Sequence, residues 1–563
     1  MSNLARHRGC PKKQLSWQVI VNSERQGMLD TQKLSKIARI EGIADYTSGH
    51  RIGEDNIRAF GLDVHNPVFM VSGTTIVLFV AFALSFPELA GDVFNQWRIT
   101  LTTRLDWVFM AIANFVLLFC LYLVVSPLGS IRLGGPSARP RYAYPSWVAM
   151  LFAAGIGIGI MFYGVLEPMS HALTPPLSAA GITGDARREL AMASTIYHWA
   201  FHPWAIYSTV GLSLAFFSFN KGLPLVMRSA LYPLFGDRIW GWPGHVVDVL
   251  AVFATLFGLA TSLGFGAEQA SGGIAYLFGV PNENWLRVAV ISFITAIALI
   301  SVLRGLDGGI KRLSELNMVA AGALGLYILV LGPTWEIFAG FFQYSVAYVR
   351  YLPELSSWVG REDSYYMHDW TTFYWAWWIA FSPFVGMFIA RISSGRTVRE
   401  FVVAAMLAPS AIFVLWMTIF GQTAMDQYYL EGLQEVVTTV REFKPELTLF
   451  VFLEEFPLTL LTSGLGVVLV VIFFVTSMDS GSLIVDTMTA GGKIETPVGQ
   501  RIFWCIFLGL LGVALMLGGG LSSLQALALA SAFPFALIML LMVVSLHRGL
   551  RAELKLLKSD GRL

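Results

Sequence analysis

Charge is scarce in this chain: Asp, Glu, Lys and Arg make up 13% of its 563 residues, against roughly 25% in a soluble globular protein. The formal net charge is +1, too balanced for a nucleic-acid binder, and the basic residues lie in short loops rather than along one face. No nucleic-acid partner is expected. Cysteine is also sparse. Cys10, Cys120 and Cys505 are far apart, one in a polar tail and two in apolar runs, so they define neither a disulfide framework nor a metal spacing. No cleavable leader is expected either, because the first strongly apolar run starts near Phe69 behind a polar, basic segment. The N-terminus is therefore expected to stay in the cytoplasm. What the chain has in excess is apolar surface: 55% hydrophobic residues and a mean hydropathy of +0.63, the composition of a membrane protein.

Apolar runs of about 20 residues, enough to cross a bilayer as helix, recur about twelve times. They are Phe69 to Phe86, Trp107 to Val125, Trp147 to Leu166, Ile196 to Ser218, Val246 to Phe278, Trp285 to Leu303, Met318 to Phe341, Thr371 to Ile392, Phe401 to Phe420, Leu458 to Phe474, Ile502 to Leu517 and Leu521 to Leu546. The runs are continuous rather than alternating, which excludes a β-barrel. Arg132, Arg139 and Arg141, then Lys221, Arg228 and Arg238, then Arg304, Lys311 and Arg312, then Arg391, Arg396 and Arg399 fall in alternate loops. Those loops are expected to face the cytoplasm. The loop from Gly421 to Pro457 instead carries Asp426, Glu431, Glu435, Glu446, Glu454 and Glu455. The expected organisation is a cytoplasmic segment at 1–67, a twelve-span membrane domain at 68–546 and a short basic cytoplasmic tail at 547–563. Ile310, Leu313 and Leu316, opposite Lys311, Arg312 and Glu315, suggest an interfacial helix at Leu306 to Asn317, with a solvated linker as the alternative.

Two spans are expected to depart from a straight helix, the third by unwinding and the eighth by a kink or a break, as the substrate-holding helices of carriers often do. In the third, Gly155, Gly157 and Gly159 alternate, and glycine costs a helix about 1 kcal/mol each relative to alanine. Close packing through small residues is the alternative. In the eighth, Ser382-Pro383 sits well inside the run, where proline removes an amide and clashes with the preceding turn. With breaks five spans apart, spans three to seven and eight to twelve would form two inverted halves, behind two accessory spans.

Aromatic residues crowd next to these breaks. At about 100° per residue, Trp199, Trp204 and Tyr207 fall within an arc of roughly 140° and can share one face, allowing for Pro203, and Trp377, Phe381 and Phe384 form a stripe, with Trp378 turned about 100° from Trp377. A lone membrane tryptophan is usually an interfacial anchor. Clusters of ring faces instead suit quaternary ammonium groups, which cannot donate hydrogen bonds. The spans carrying these aromatics, the fourth and eighth, supply no buried acid that could hold a cation by charge. His198 and His202 read as packing or hydrogen-bonding residues, and Glu268 as an intramembrane acid with a functional or structural role. Adjacent hydroxyls at Thr476 and Ser477 near the end of the tenth span, with carbonyls of the unwound glycine segment, could ligate a hard cation.

The sequence resembles the betaine/carnitine/choline transporter family over nearly all its membrane region. The resemblance rests on Gly155-Ile-Gly157-Ile-Gly159 with Met161-Phe-Tyr163-Gly164 and Glu167-Pro168, on His198-Trp199-Ala-Phe-His202-Pro203-Trp204-Ala-Ile-Tyr207, and on Tyr374-Trp375-Ala-Trp377-Trp378 leading to Ser382-Pro383-Phe384. It implies an all-α, twelve-span fold with a five-plus-five inverted repeat, a homotrimer in the bacterial inner membrane with both termini cytoplasmic, and a tryptophan box of Trp199, Trp204, Tyr207 and Trp378. It also implies that Trp377 and Phe381 line the cytoplasmic path. A sodium site would use backbone oxygens of Ala153, Ile156 and Phe473 with hydroxyls of Thr476 and Ser477; sodium is then the coupling ion, with no other cofactor. The resemblance points to glycine betaine as cargo, since Gly159 stands where choline carriers tend to have an acid and carnitine carriers a serine. A second sodium site, at Thr255 and Phe384, is doubtful because Leu259 replaces a hydroxyl one turn after Thr255. Phe381 replaces a common tryptophan, and the tail lacks the long basic extension of osmosensors.

The expected activity is thus sodium-coupled import of a trimethylammonium osmolyte such as glycine betaine. The nearest rival is a choline, carnitine or dimethylsulfoniopropionate carrier, with sodium or protons as coupling ion. A membrane-embedded enzyme would need an intramembrane cluster of His, Asp or Glu around a reactive centre, which the core spans do not show in sequence. A channel or receptor would reveal itself by an open-pore conductance.

Overall fold

The computed structural model describes residues 48–155, 157–177, 181–304 and 309–559, and is almost wholly helical. A short antiparallel hairpin, β1 (Asn56–Ala59) and β2 (Leu62–His65), precedes the bundle. The principal helices that follow are α1 (Asn66–Ser85), α2 (Pro87–Val125), α3 (Tyr144–Gly155), α4 (Ile158–Leu173), α5 (Gly184–Trp199), α6 (Phe201–Phe219), α7 (Trp242–Phe278) and α8 (Asn284–Arg304). Then come α9 (Gly309–Leu331), α10 (Thr334–Leu355), α11 (Phe373–Ile392), α12 (Val398–Met417), α13 (Thr459–Thr489), α14 (Val498–Leu517) and α15 (Leu521–Ser559). Among the described residues ten helices are long and apolar enough to cross a membrane. The third and fourth expected spans are not among the ten: each is divided, into α3 with α4 and into α5 with α6, and α6, though 19 residues long, is too polar.

Glycine divides the third span. α3 ends at Gly155 and α4 restarts at Ile158, with Gly157 extended between them. The fourth is divided at Ala200, three residues before Pro203. Pro203 lies in the first turn of α6, where a missing amide costs nothing, whereas in a continuous helix its ring would strike the carbonyl of Trp199.

Of the kink or break expected at Pro383 in the eighth span, the break does not occur, because α11 runs through that proline. Proline removes the amide that would bond the Ile379 carbonyl, and the Ser382 hydroxyl donates to that carbonyl instead, at 2.7 Å. The irregularity falls earlier, in a π turn at Tyr366–Thr372. Two further expectations need correction. The run Met318 to Phe341 is not one helix, since Gly332-Pro333 separates α9 from α10. The proposed interfacial helix is, where described, the opening of α9 from Gly309, continuous with the span that follows; residues 305–308 lie outside the described residues.

Small residues bring the central helices together. A Cβ on Gly386 of α11 would lie 2.8 Å from Val210 and 3.0 Å from the Gly211 amide of α6, so the two backbones pack directly. α11 also abuts α7, where a Cβ on Gly258 would come 3.1 Å from the Ala380 carbonyl carbon. α7 in turn packs along α13, with Leu259 filling the space beside Gly481.

Three of the four basic loops meet on one face. Arg132 donates to the Gly395 carbonyl at 2.6 Å, the Arg396 guanidinium covers the Trp147 ring at 4.5 Å, and Lys221 pairs with Glu553 at 2.6 Å. The hairpin docks on this face through Asp63 and Lys493, 2.8 Å apart, and through His65 beside Arg228. Burial and the Arg228 charge hold the His65 imidazole down at about 3. The acidic loop packs elsewhere, with Asp426 paired to Arg188 of α5 and Glu446 accepting from Asn282.

Candidate substrate and ion site

The break in the third span opens beside the aromatic residues of the fourth and eighth. Gly157 takes φ −155° and ψ −164°, and the first turn of α4 beyond it has amides without intrahelical acceptors, at the positive end of the helix dipole. Gly159 lies in that turn. A Cβ there would come 2.7 Å from Trp199 Cη2 and 3.1 Å from Trp377 Cη2, so glycine is what lets the backbone approach both indoles. Ala153 and Gly155 belong to α3, but their surroundings, and all of Ile156, lie outside the described residues.

The four box residues gather, though not as a single-helix arc would have it. Trp199 ends α5, whereas Trp204 and Tyr207 sit on α6 beyond the break. Trp378 of α11 joins them: its ring is 5.3 Å from Trp199 at 87° and 5.5 Å from Tyr207 at 78°. Trp204 meets Tyr207 edge-on at 5.5 Å. The Trp378 indole N–H donates at 3.0 Å to the carbonyl of His198, in the last turn before the break. All four rings are buried, so a head group enters only if they part.

Sequence reading missed a fifth ring. Phe413 of α12 lies 5.3 Å from Trp199 and 6.1 Å from Trp204, bridging the two sides of the break; a phenylalanine in an apolar run carries no signal that sets it apart. Trp377 and Trp378 do not diverge as their 100° offset suggests but stack at 5.6 Å, and Trp377 also meets Phe265 of α7 at 5.3 Å. Phe381 and Phe384 pack on each other at 5.1 Å.

The second feature missed is an intramembrane acid cluster, and it corrects the expectation that the core spans hold none. Glu167 of α4 is fully buried. Its Oε2 accepts from the Trp199 indole N–H at 2.6 Å and the Tyr374 hydroxyl at 2.5 Å. Its Oε1 lies 2.6 Å from His198 Nδ1 and 3.3 Å from His171 Nε2. His198 Nε2 reaches Thr371 at 3.0 Å, and His202 bonds Asn114 at 3.0 Å, which gives both histidines the hydrogen-bonding role expected of them. The ligand atoms of Glu167, His171 and His198 lie within 4.8 Å of one another, close enough for a metal, but Glu167 already binds α5 and α11 through three neighbours, with His171 of its own helix the fourth. The signal was Glu167-Pro168, an acid inside an apolar run. Glu268 lies far along α7 and pairs with Arg287 at 2.7 Å.

At the expected sodium positions, the Thr476 hydroxyl bonds back to the carbonyls of Ile472 at 3.0 Å and Phe473 at 3.1 Å within an unbroken α13. A hydroxyl donating in this way keeps its oxygen lone pairs for a cation. The donor set of Thr476, Ser477 and the Phe473 carbonyl is thus all oxygen and uncharged, chemistry that suits sodium. α13 faces the break: a Cβ on Gly266 of α7 would touch both Ile158, which opens α4, and Phe474. At the doubtful second site the Thr255 hydroxyl donates to Ala251 at 2.8 Å, and Leu259 is committed to packing on Gly481.

Comparison with known proteins supplies the family. A family model described as the betaine/carnitine/choline family transporter matches residues 67–555. A glycine betaine/proline/choline transporter of Vibrio parahaemolyticus is 51% identical over 526 residues, covering 90% of this chain and 94% of that one. Glycine betaine transporter 1 of the same organism is 47% identical, covering 90% and 97%. The glycine betaine transporter OpuD of Bacillus subtilis is 39% identical, covering 85% and 93%. With a divided third span facing an aromatic box and a family match across the bundle, the chain belongs to the betaine/carnitine/choline family: it is an all-α, multi-pass membrane transporter and not an enzyme.

Proposed function

We propose that this chain imports a trimethylammonium osmolyte such as glycine betaine, coupled to sodium. The observation that carries this reading is the ring geometry. Trp378 meets Trp199 and Tyr207 nearly at right angles, so rings that part present faces and edges to a head group instead of a flat stack. A methylated onium group gains about 0.5–2 kcal/mol from each ring face it meets. Its carboxylate has a matching partner in the first turn of α4, where unpaired amides and the dipole favour negative charge.

Sodium fits the neutral oxygens at Thr476 and Ser477. Binding there would brace α13 against the broken third span and couple ion occupancy to the shape of the box. The two inverted halves then rock about the cargo. The pairing of α7 with α13, the fifth and tenth spans, is the kind of central contact such a repeat makes. An inner-membrane location, with both termini in the cytoplasm, follows from the basic loops that converge with the hairpin and the end of α15 on one face. For a homotrimer, α10 offers an exposed stripe of Trp335, Phe338, Phe342, Val346 and Val349.

A second reading, choline as cargo, is favoured by the name of the 51% identical Vibrio parahaemolyticus relative, which includes proline and choline. Carnitine, dimethylsulfoniopropionate and proton coupling are tested alongside it. The experiment is uptake of labelled glycine betaine into proteoliposomes with and without a sodium gradient, with each compound as competitor. Sodium-dependent uptake outcompeted by betaine above the others is expected. Uptake unchanged when potassium replaces sodium would overturn the coupling, and no betaine uptake would overturn the cargo.

A further inference from the structure

The box reading explains attraction to ring faces but leaves unused the one carboxylate bonded to a box ring. We infer that Glu167 is a specificity-determining residue of the box, acting through Trp199: it fixes that indole and sets a negative charge behind it that favours cargo of net positive charge. The inference rests on the box reading and deepens it.

The geometry joins three helices at one side chain. From α4, Glu167 receives the N–H of Trp199 on α5 and the O–H of Tyr374 on α11 at one oxygen, at 2.6 and 2.5 Å. At its other oxygen it meets His198 and His171 at 2.6 and 3.3 Å. An indole N–H only donates, so Oε2 must accept from Trp199, and the ring cannot rotate without leaving a buried carboxylate short of a donor. The adjacent residue completes the frame: the carbonyl of His198 holds the Trp378 indole at 3.0 Å. One acid thereby orients Trp199 directly and bears on Trp378 through His198.

Charge adds to position. Among the described residues the ion-pair partners of Glu167 are the two histidines, with no Lys or Arg. Where those imidazoles are neutral, N–H and O–H dipoles rather than a counter-ion balance the carboxylate, and a field of net negative sign reaches the box in a medium of low dielectric. That field acts in full on choline, which carries only the onium charge. On betaine it is partly cancelled by the ligand's own carboxylate.

The test uses the full chain in lipid nanodiscs for binding and in proteoliposomes for KM and kcat, with glycine betaine, choline and the neutral tert-butyl analogue of choline as probes. Glu167→Gln should weaken betaine about tenfold and choline about fiftyfold, as loss of a charge-dependent contact in low dielectric does. The change should appear in KM with kcat within about twofold, the pattern of lost uniform binding. Glu167→Asp keeps the charge and should keep the choline-to-betaine ratio. Equal weakening of all three probes, or none, would overturn the inference. If Glu167→Gln yields no folded protein, Tyr374→Phe decides: it strips one donor from Oε2, leaves the charge less balanced and should raise choline over betaine about threefold. An unchanged ratio there overturns the inference by itself. Trp378→Leu separates the two readings, since betaine binding that survives it sinks the box, whereas its loss beside an unaltered Glu167→Gln ratio sinks only the role of Glu167.

Discussion

The fourth and eighth spans face each other across the box, each with a proline in its interior, yet one is cut and the other is not. In the fourth, His202 precedes Pro203 and turns away to Asn114 of α2 at 3.0 Å, and the helix stops at Trp199 and restarts at Phe201. In the eighth, Ser382 precedes Pro383 and its hydroxyl takes the carbonyl that the proline abandons. Proline alone therefore does not decide a break, since Pro168 of α4, Pro409 of α12 and Pro534 of α15 also lie inside continuous helices; in the eighth span the Ser382 hydroxyl takes up the freed carbonyl. The outcome is an asymmetric site, with a jointed wall carrying Trp199 on one segment and Trp204 with Tyr207 on the next, and a rigid wall carrying Trp377 and Trp378.

If the rigid wall supplies the ring that closes the box, Trp378→Leu should have the largest effect. The variant loses a ring face and the N–H bond that ties α11 to His198, and betaine affinity should fall by about a hundredfold or more, measured by titration calorimetry. Next comes the joint. Pro203→Ala removes the clash that keeps α5 and α6 apart and lets them fuse, which carries Trp204 and Tyr207 away from Trp199; KM for betaine should rise about thirtyfold. The matched Pro383→Ala should leave KM within about twofold, because α11 is already continuous. Equal effects of the two proline variants would erase the contrast. Gly159→Ala should cost about tenfold in KM, since a Cβ at 2.7 Å from Trp199 forces that ring to move. The smallest effect belongs to Ser382→Ala, which should lower stability by about 1 kcal/mol by leaving the Ile379 carbonyl unpaired. A thermal-melt comparison in detergent reads it, and a melt equal to the parent's would show that the hydroxyl does not rescue the helix.

These contrasts also mark what a one-dimensional reading reaches. Hydropathy locates most spans because bilayer thickness imposes a length that composition alone reveals. Three glycines in five residues betray the break at Gly157 because their cost is local. The box residues are legible from their crowding, and the allowance made for Pro203 is borne by the joint at Ala200, on which the gathering of Trp199 with its partners depends. Pro203 was visible, but weighing it against Pro383 required knowing where the side chains of His202 and Ser382 go. Gly332-Pro333 hid inside a run whose hydropathy continues into α10. Glu167 and Phe413 escaped because their partners are distant in sequence. Glu167 meets Trp199 and Tyr374 only after three helices assemble, and no periodicity within one span records that.

The account stands most directly on where the cargo's head group lies, which a cryo-electron microscopy structure of the chain in nanodiscs with glycine betaine would show. The predicted result is a trimethylammonium nitrogen within about 6 Å of the ring centroids of Trp199, Tyr207 and Trp378. A nitrogen held outside that ring set, or against a carboxylate with the box still closed, would contradict it.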